Sequence, residues 1–93
     1  MKTIWVIGVH NSAADEIEFY TAEGSKRDVK REMMRIIYDI RSNAEVPYDH
    51  DHGTEYMSEI ETLNNGSLYG YIDFDWSHTD VTARKFVDIV KYN

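Results

Sequence analysis

Two aspartates and two histidines interleave at Asp49, His50, Asp51 and His52, with Glu55 three residues further on. Imidazole and carboxylate together suit zinc, and an oxygen-only subset would suit calcium. The spacing is not that of an EF-hand loop, which wants acids at its first, third and fifth positions and glycine at its sixth. Here Gly53 stands fifth from Asp49, and a histidine precedes it. On an extended backbone His50 and His52 would share a face, and a further ligand such as His78 or His10 must come from elsewhere in the chain. The expectation for this segment is a polar, glycine-containing loop. The alternative is a divalent-metal protein centred on Asp49, His50, Asp51 and His52, with metal-activated water as its chemistry.

The same segment lies in a longer acidic stretch. Residues 42–80 carry nine carboxylates (Glu45, Asp49, Asp51, Glu55, Glu59, Glu61, Asp73, Asp75 and Asp80) and neither Lys nor Arg, so their formal charge of −9 exceeds the −7 of the whole chain. Lys26, Arg27, Lys30, Arg31, Arg35 and Arg41 concentrate six of the ten basic residues just before it. Acids beside aromatics make a protein-binding surface, because tyrosine supplies contact area at low entropic cost. We therefore expect Asp49, Asp51, Glu55, Glu59, Glu61, Tyr69, Tyr71, Asp73 and Asp75 to meet a partner, with Tyr48 filling gaps. The competing expectation for the tyrosines is cross-strand packing against Tyr20 or Trp5.

Other chemistry has little support. Cysteine is absent, which removes thiolate ligands, disulfides and a Cys nucleophile. No serine sits in a nucleophile turn, and Gly24 and Gly66 are isolated rather than part of a phosphate loop. A non-enzymatic protein without a cofactor is expected. No signal peptide and no run approaching ~20 apolar residues is read, so a cytoplasmic location is expected. The acidic balance argues against direct binding of nucleic acid or anionic membrane and for basic protein partners.

The elements that must position these groups follow from periodicity. With 93 residues the chain is expected to form a single α+β domain. Residues 2–10 read as a central strand buried on both faces, and residues 16–21 as a half-exposed strand completing a hairpin through an Asn/Ser/Asp turn. Ser25 and Asp28 resemble a capping box, and Val29, Met33, Ile36, Ile37 and Ile40 share one face of the helix that follows. Glu32 and Asp39 can pair with Arg35 or Arg31. Residues 54–63 fit a short helix or an irregular turn. Residues 67–76 alternate, with Leu68, Gly70, Ile72, Phe74 and Trp76 facing the core and Tyr69, Tyr71, Asp73 and Asp75 the other way. Ser77, His78, Thr79 and Asp80 read as a polar link. Beyond it, Ala83, Phe86, Val87 and Val90 favour a C-terminal helix, while Val81, Ala83, Val87 and Ile89 also fit partial alternation, so residues 81–92 are open between helix and strand. Together these give an antiparallel sheet of three or four strands packed against one long helix, with a second short helix possible.

Several short motifs carry a resemblance: Gly24-Ser25-Lys26 with Val29-Lys30, Gly53-Thr54-Glu55 with Glu59-Ile60-Glu61, Asn65 through Tyr71, and Asp80-Val81-Thr82-Ala83. Over residues 24–83 the chain resembles small acidic proteins of unknown function from bacterial genomes, many of them phage or mobile-element cargo. In size, acidity and lack of a catalytic motif it is similar in type to anti-CRISPR proteins. That resemblance implies an inhibitor, and in some members a DNA mimic, that offers carboxylates to the basic groove of a nuclease. The expected function is thus an acidic inhibitor or adaptor acting through protein-protein interaction. A structural homodimer, with the basic helix of one copy against the acidic stretch of another, is a further alternative.

Overall fold

Alternating apolar and polar side chains put half of the described residues into strands. The computed structural model describes residues 3–44, 56–74 and 76–86 and joins six strands in one antiparallel sheet. The elements are β1 (Ile4–Asn11), β2 (Glu16–Glu23), α1 (Lys26–Asn43), β3 (Tyr56–Met57), β4 (Glu61–Thr62), β5 (Leu68–Phe74) and β6 (Ser77–Lys85). Their spatial order is β2-β1-β6-β5-β3, and β4 also pairs with β5. The structure is α+β with one long helix, as expected, but with six strands rather than three or four.

Two stretches account for the extra strands. Of residues 54–63, for which a short helix or an irregular turn was expected, the described ones from Tyr56 on form no helix: Tyr56–Met57 and Glu61–Thr62 lie along the edge of β5. The Ser58 amide donates to the Tyr71 carbonyl at 3.0 Å, and Ser58 Oγ accepts from the Tyr71 amide at 2.8 Å, which continues the ladder beyond β3. A helix there would have set Glu55 one turn from Glu59, and like charges at that spacing repel. Residues 77–80, read as a polar link, and residues 81–85, open between helix and strand, together form β6 (Ser77–Lys85), the strand that joins the two hairpins. The remainder of the expected C-terminal helix, from residue 87 onward, lies outside the described residues. Thr79, Val81 and Ala83 point into the core, between β1 and β5. Filling that gap satisfies two ladders at once, which a helix could not.

Among the described residues, only one face of the sheet is covered. The capping box forms as expected: the Asp28 amide donates to Ser25 Oγ and the Asp28 carboxylate accepts from the Ser25 amide at 3.0 Å. Gly24, with φ of 125°, turns the chain into that cap. Val29, Met33, Ile36 and Ile37 of α1 then pack on Trp5, Ile7 and Val9 of β1, Leu68, Ile72 and Phe74 of β5, and Val81 and Ala83 of β6. With α1 the one helix among the described residues, β1 is buried on its Trp5-Ile7-Val9 face, and Ile4 on the other face is 38% exposed. Double-sided burial of this strand is therefore not found.

Candidate functional site

The sheet face opposite α1 is where the chemistry collects. On β5 the period of two that buries Leu68, Ile72 and Phe74 sends Tyr69, Tyr71 and Asp73 to the open side. On β6, Asp80 lies directly opposite Tyr71, and His78 opposite Asp73. Tyr56 of β3 is opposite Asp73, and Glu61 of β4 is opposite Tyr69. His10 of β1 reaches the same cluster from the other side, opposite Asp80.

The rings form a row centred on Tyr71. Its centroid lies 6.4 Å from that of Tyr56 with the planes 14° apart, 5.4 Å from His78, and 6.1 Å from the more tilted Tyr69. The tyrosines thus stack with one another and with an imidazole, rather than against Tyr20 or Trp5. Beneath the row, one carboxylate oxygen organises the polar groups. Asp80 Oδ1 accepts from Tyr69 Oη at 2.6 Å and from His78 Nε2 at 2.8 Å. His78 Nδ1 faces Asp73 Oδ1 at 3.5 Å, so a carboxylate stands at each imidazole nitrogen. The backbone of His78 is held too, since Ser12 of the β1–β2 turn donates from its amide and its hydroxyl to the His78 carbonyl and accepts from the His78 amide.

Charge follows from this wiring. The hydrogen bond to Asp80 chiefly, then the charges of Asp80 and Asp73, raise the His78 pKa above its usual 6.5 against a desolvation effect that lowers it. The hydrogen bond to Asp80, with burial and nearby negative charge, pushes the Tyr69 hydroxyl up to about 12. Burial opposes ionisation of Asp80, but the hydrogen bonds from Tyr69 and His78 outweigh it and hold the carboxyl below its ordinary value. With its pKa at about 12, the Tyr69 hydroxyl stays protonated at neutral pH. What the face offers is ring surface next to carboxylates. Arginine and lysine bind such surfaces by stacking on the ring and pairing with the acid.

The expected partner-binding residues divide into two groups. Tyr69, Tyr71, Asp73 and Glu61 come together on this face, and Glu59 is exposed in the link between β3 and β4. Asp49, Asp51, Glu55 and Asp75 lie outside the described residues, as do His50 and His52 of the alternative metal centre and Tyr48. His10 and His78, named as possible further ligands, flank Asp80. Among the described residues no group of three or more His, Asp and Glu side chains is placed to hold a metal ion. Sequence reasoning missed His78, Asp80 and Tyr56 as members of the cluster. The signal for the first two was present in the alternation of His78, Asp80 and Thr82 with Thr79, Val81 and Ala83.

The basic helix is partly neutralised. Arg35 Nε donates to Glu32 Oε1 at 2.9 Å and Arg35 Nη1 to Asp39 Oδ2 at 2.7 Å, the pairs expected from spacing. At the far end of the sheet a depression lined by Lys26, Arg84, Lys85 and the turn Asn65-Gly66-Ser67 is cationic. Compared with models of protein families, with curated proteins and with solved structures, the chain matches none, so its binding chemistry is read from the residues of the open face.

Proposed function

We propose that this protein is a non-enzymatic binding module whose Tyr56-Tyr71-His78 face captures a basic protein surface. The observation that carries this reading is the row of stacked rings bordered by Glu61, Asp73 and Asp80 on the sheet face that α1 leaves open, with neither Lys nor Arg among residues 69–73 or 78–82. An incoming arginine finds a ring to stack on and a carboxylate to pair with at the same place. The rings are already held by strand register and by each other, so little side-chain entropy is lost on binding. Acidity of the whole chain steers a basic partner towards it.

The finer reading is an inhibitor that competes with nucleic acid for a basic groove, a CRISPR effector nuclease being the case to test first. Purified chain is titrated into a guide-loaded Cas9-type nuclease holding a fluorescent DNA duplex, and displacement is followed by anisotropy over a range of salt. Displacement that weakens steeply with salt, and by about tenfold or more in a Glu61→Lys, Asp73→Lys double variant, is the expected result. Full activity of that double variant would refute the use of this face. Failure to displace DNA from any such nuclease, with retained salt-sensitive binding to other basic proteins, would leave the module and remove the nuclease.

A further inference from the structure

The edge strand β2 lies across the sheet from the tyrosine face and has its own unused capacity. Its inner side pairs with β1 over all eight residues, from Ile4 opposite Glu23 to Asn11 opposite Glu16. Among the described residues no strand pairs with its outer side, which leaves a row of backbone donors and acceptors facing outward. Its side chains are sorted by chemistry. Ile17 and Phe19 stand on the open face of the sheet, 59% and 71% exposed, with the Phe19 ring over Gly8 and Ile4 exposed nearby. Glu16, Glu18 and Tyr20 stand on the helix side. There a groove between β2 and α1 is lined by Glu18, Tyr20 and Asp39 around Ile36 and Ile40, and the one cation among its described lining residues, Arg35, is already shared between Glu32 and Asp39.

We infer that β2 is a strand-addition site for an extended segment of another protein in which basic and apolar side chains alternate. Such a segment bonds to the outer backbone of β2 and places alternate side chains on opposite faces of the sheet. Its apolar residues lie beside Ile17 and Phe19. Its Lys or Arg residues enter the groove, where their stems cover Ile36 and Ile40 and their charges meet Glu16, Glu18 and Asp39. A second copy of this chain is the wrong occupant, because two β2 strands paired edge to edge would bring the Glu16 and Glu18 carboxylates of both copies into one short interface.

The test uses the whole chain and a fluorescent eight-residue peptide alternating lysine with valine. A peptide of the same composition in blocks, four lysines then four valines, is the control. The expected result is that the alternating peptide slows hydrogen exchange of β2 amides, that the block peptide binds about tenfold more weakly, and that a Glu16→Lys, Glu18→Lys variant with unchanged melting loses about tenfold in affinity. N-methylation of alternate peptide nitrogens in one register should abolish binding and in the other leave it intact. Equal binding of the two peptides, indifference to both N-methyl registers, unchanged affinity of the charge-reversed variant, or protection confined to β5 would each overturn the proposal. So would concentration-dependent protection of β2 without peptide, which would mean a second copy sits there. The Glu61→Lys, Asp73→Lys variant should bind this peptide normally, so the β2 site and the tyrosine face stand or fall separately.

Discussion

His78 and Tyr69 report on the same oxygen of Asp80, so each can be read through the other. In a proton NMR titration the His78 ring should titrate above 6.5, and Asp80→Asn should lower it, because the hydrogen bond then meets a neutral amide oxygen instead of a carboxylate. The folded pKa of this histidine is above its unfolded value. Its contribution to stability is therefore complete below pH ~6.5 and disappears as pH rises through the raised folded value. Urea melts across that window should show the wild type losing slightly more stability than His78→Ala as pH increases. The effect is small because the imidazole remains over a third exposed. Tyr69, pushed up to about 12 mainly by its bond to Asp80, should ionise well above 10 in an ultraviolet titration, and Asp80→Asn should bring it back towards 10. Protonated His78 also adds positive charge to the open face. A basic partner should accordingly bind more tightly as pH rises through the His78 titration, and a flat profile in this range would mean that the partner sits elsewhere.

The helix and the core of β5 could be read in advance because their signals are local. Ser25 and Asp28 close a box within four residues, and Val29, Met33, Ile36 and Ile37 repeat at helical spacing without a competing period. Ser25→Ala should lower stability by about 1 kcal/mol and Ile37→Ala, which opens a cavity under a fully buried side chain, by about 2–5 kcal/mol in denaturant unfolding. Gly70 is another place where packing sets identity. A Cβ there would run into Ile60 Cδ1 and come within 3.2 Å of Ile37 Cδ1, so Gly70→Ala should destabilise by about 1 kcal/mol or more as those methyls move aside. The later strands were harder to foresee. Thr79, Val81 and Ala83 alternate, but Ala83, Phe86, Val87 and Val90 supply a rival helical period, and the vacancy between β1 and β5 decides the outcome. Strands of two residues, such as β3 and β4, have no period at all. That is why Tyr69, Tyr71 and Asp73 were legible as one face of a strand, whereas Tyr56, His78 and Asp80 joined them only through pairing distant in sequence.

Across the whole molecule, charge is segregated rather than balanced. Lys26, Arg84 and Lys85 gather at one end of the sheet, carboxylates border the open face and line the β2 groove, and the chain as a whole carries −7. Such an excess repels itself in the compact state. Raising sodium chloride from about 10 mM to about 0.5 M, where the Debye length falls from ~30 Å towards a few ångströms, should raise the melting temperature. A fall would show that attractive pairs such as Arg35 with Glu32 and Asp39 outweigh the repulsion. The strand order has a mechanical side as well. Two hairpins, β1–β2 and β5–β6, meet along one seam between β1 and β6, and the amide of Phe86 bonds to the carbonyl of Ile4 at 2.8 Å, where that seam begins. Each hairpin closes over a short loop, but the seam must bring together residues as far apart in sequence as Trp5 and Lys85, and it is the step expected to limit the folding rate. Tension applied across Ile4 and Phe86 would load the seam at its first rung and peel it open bond by bond, instead of shearing all its rungs together.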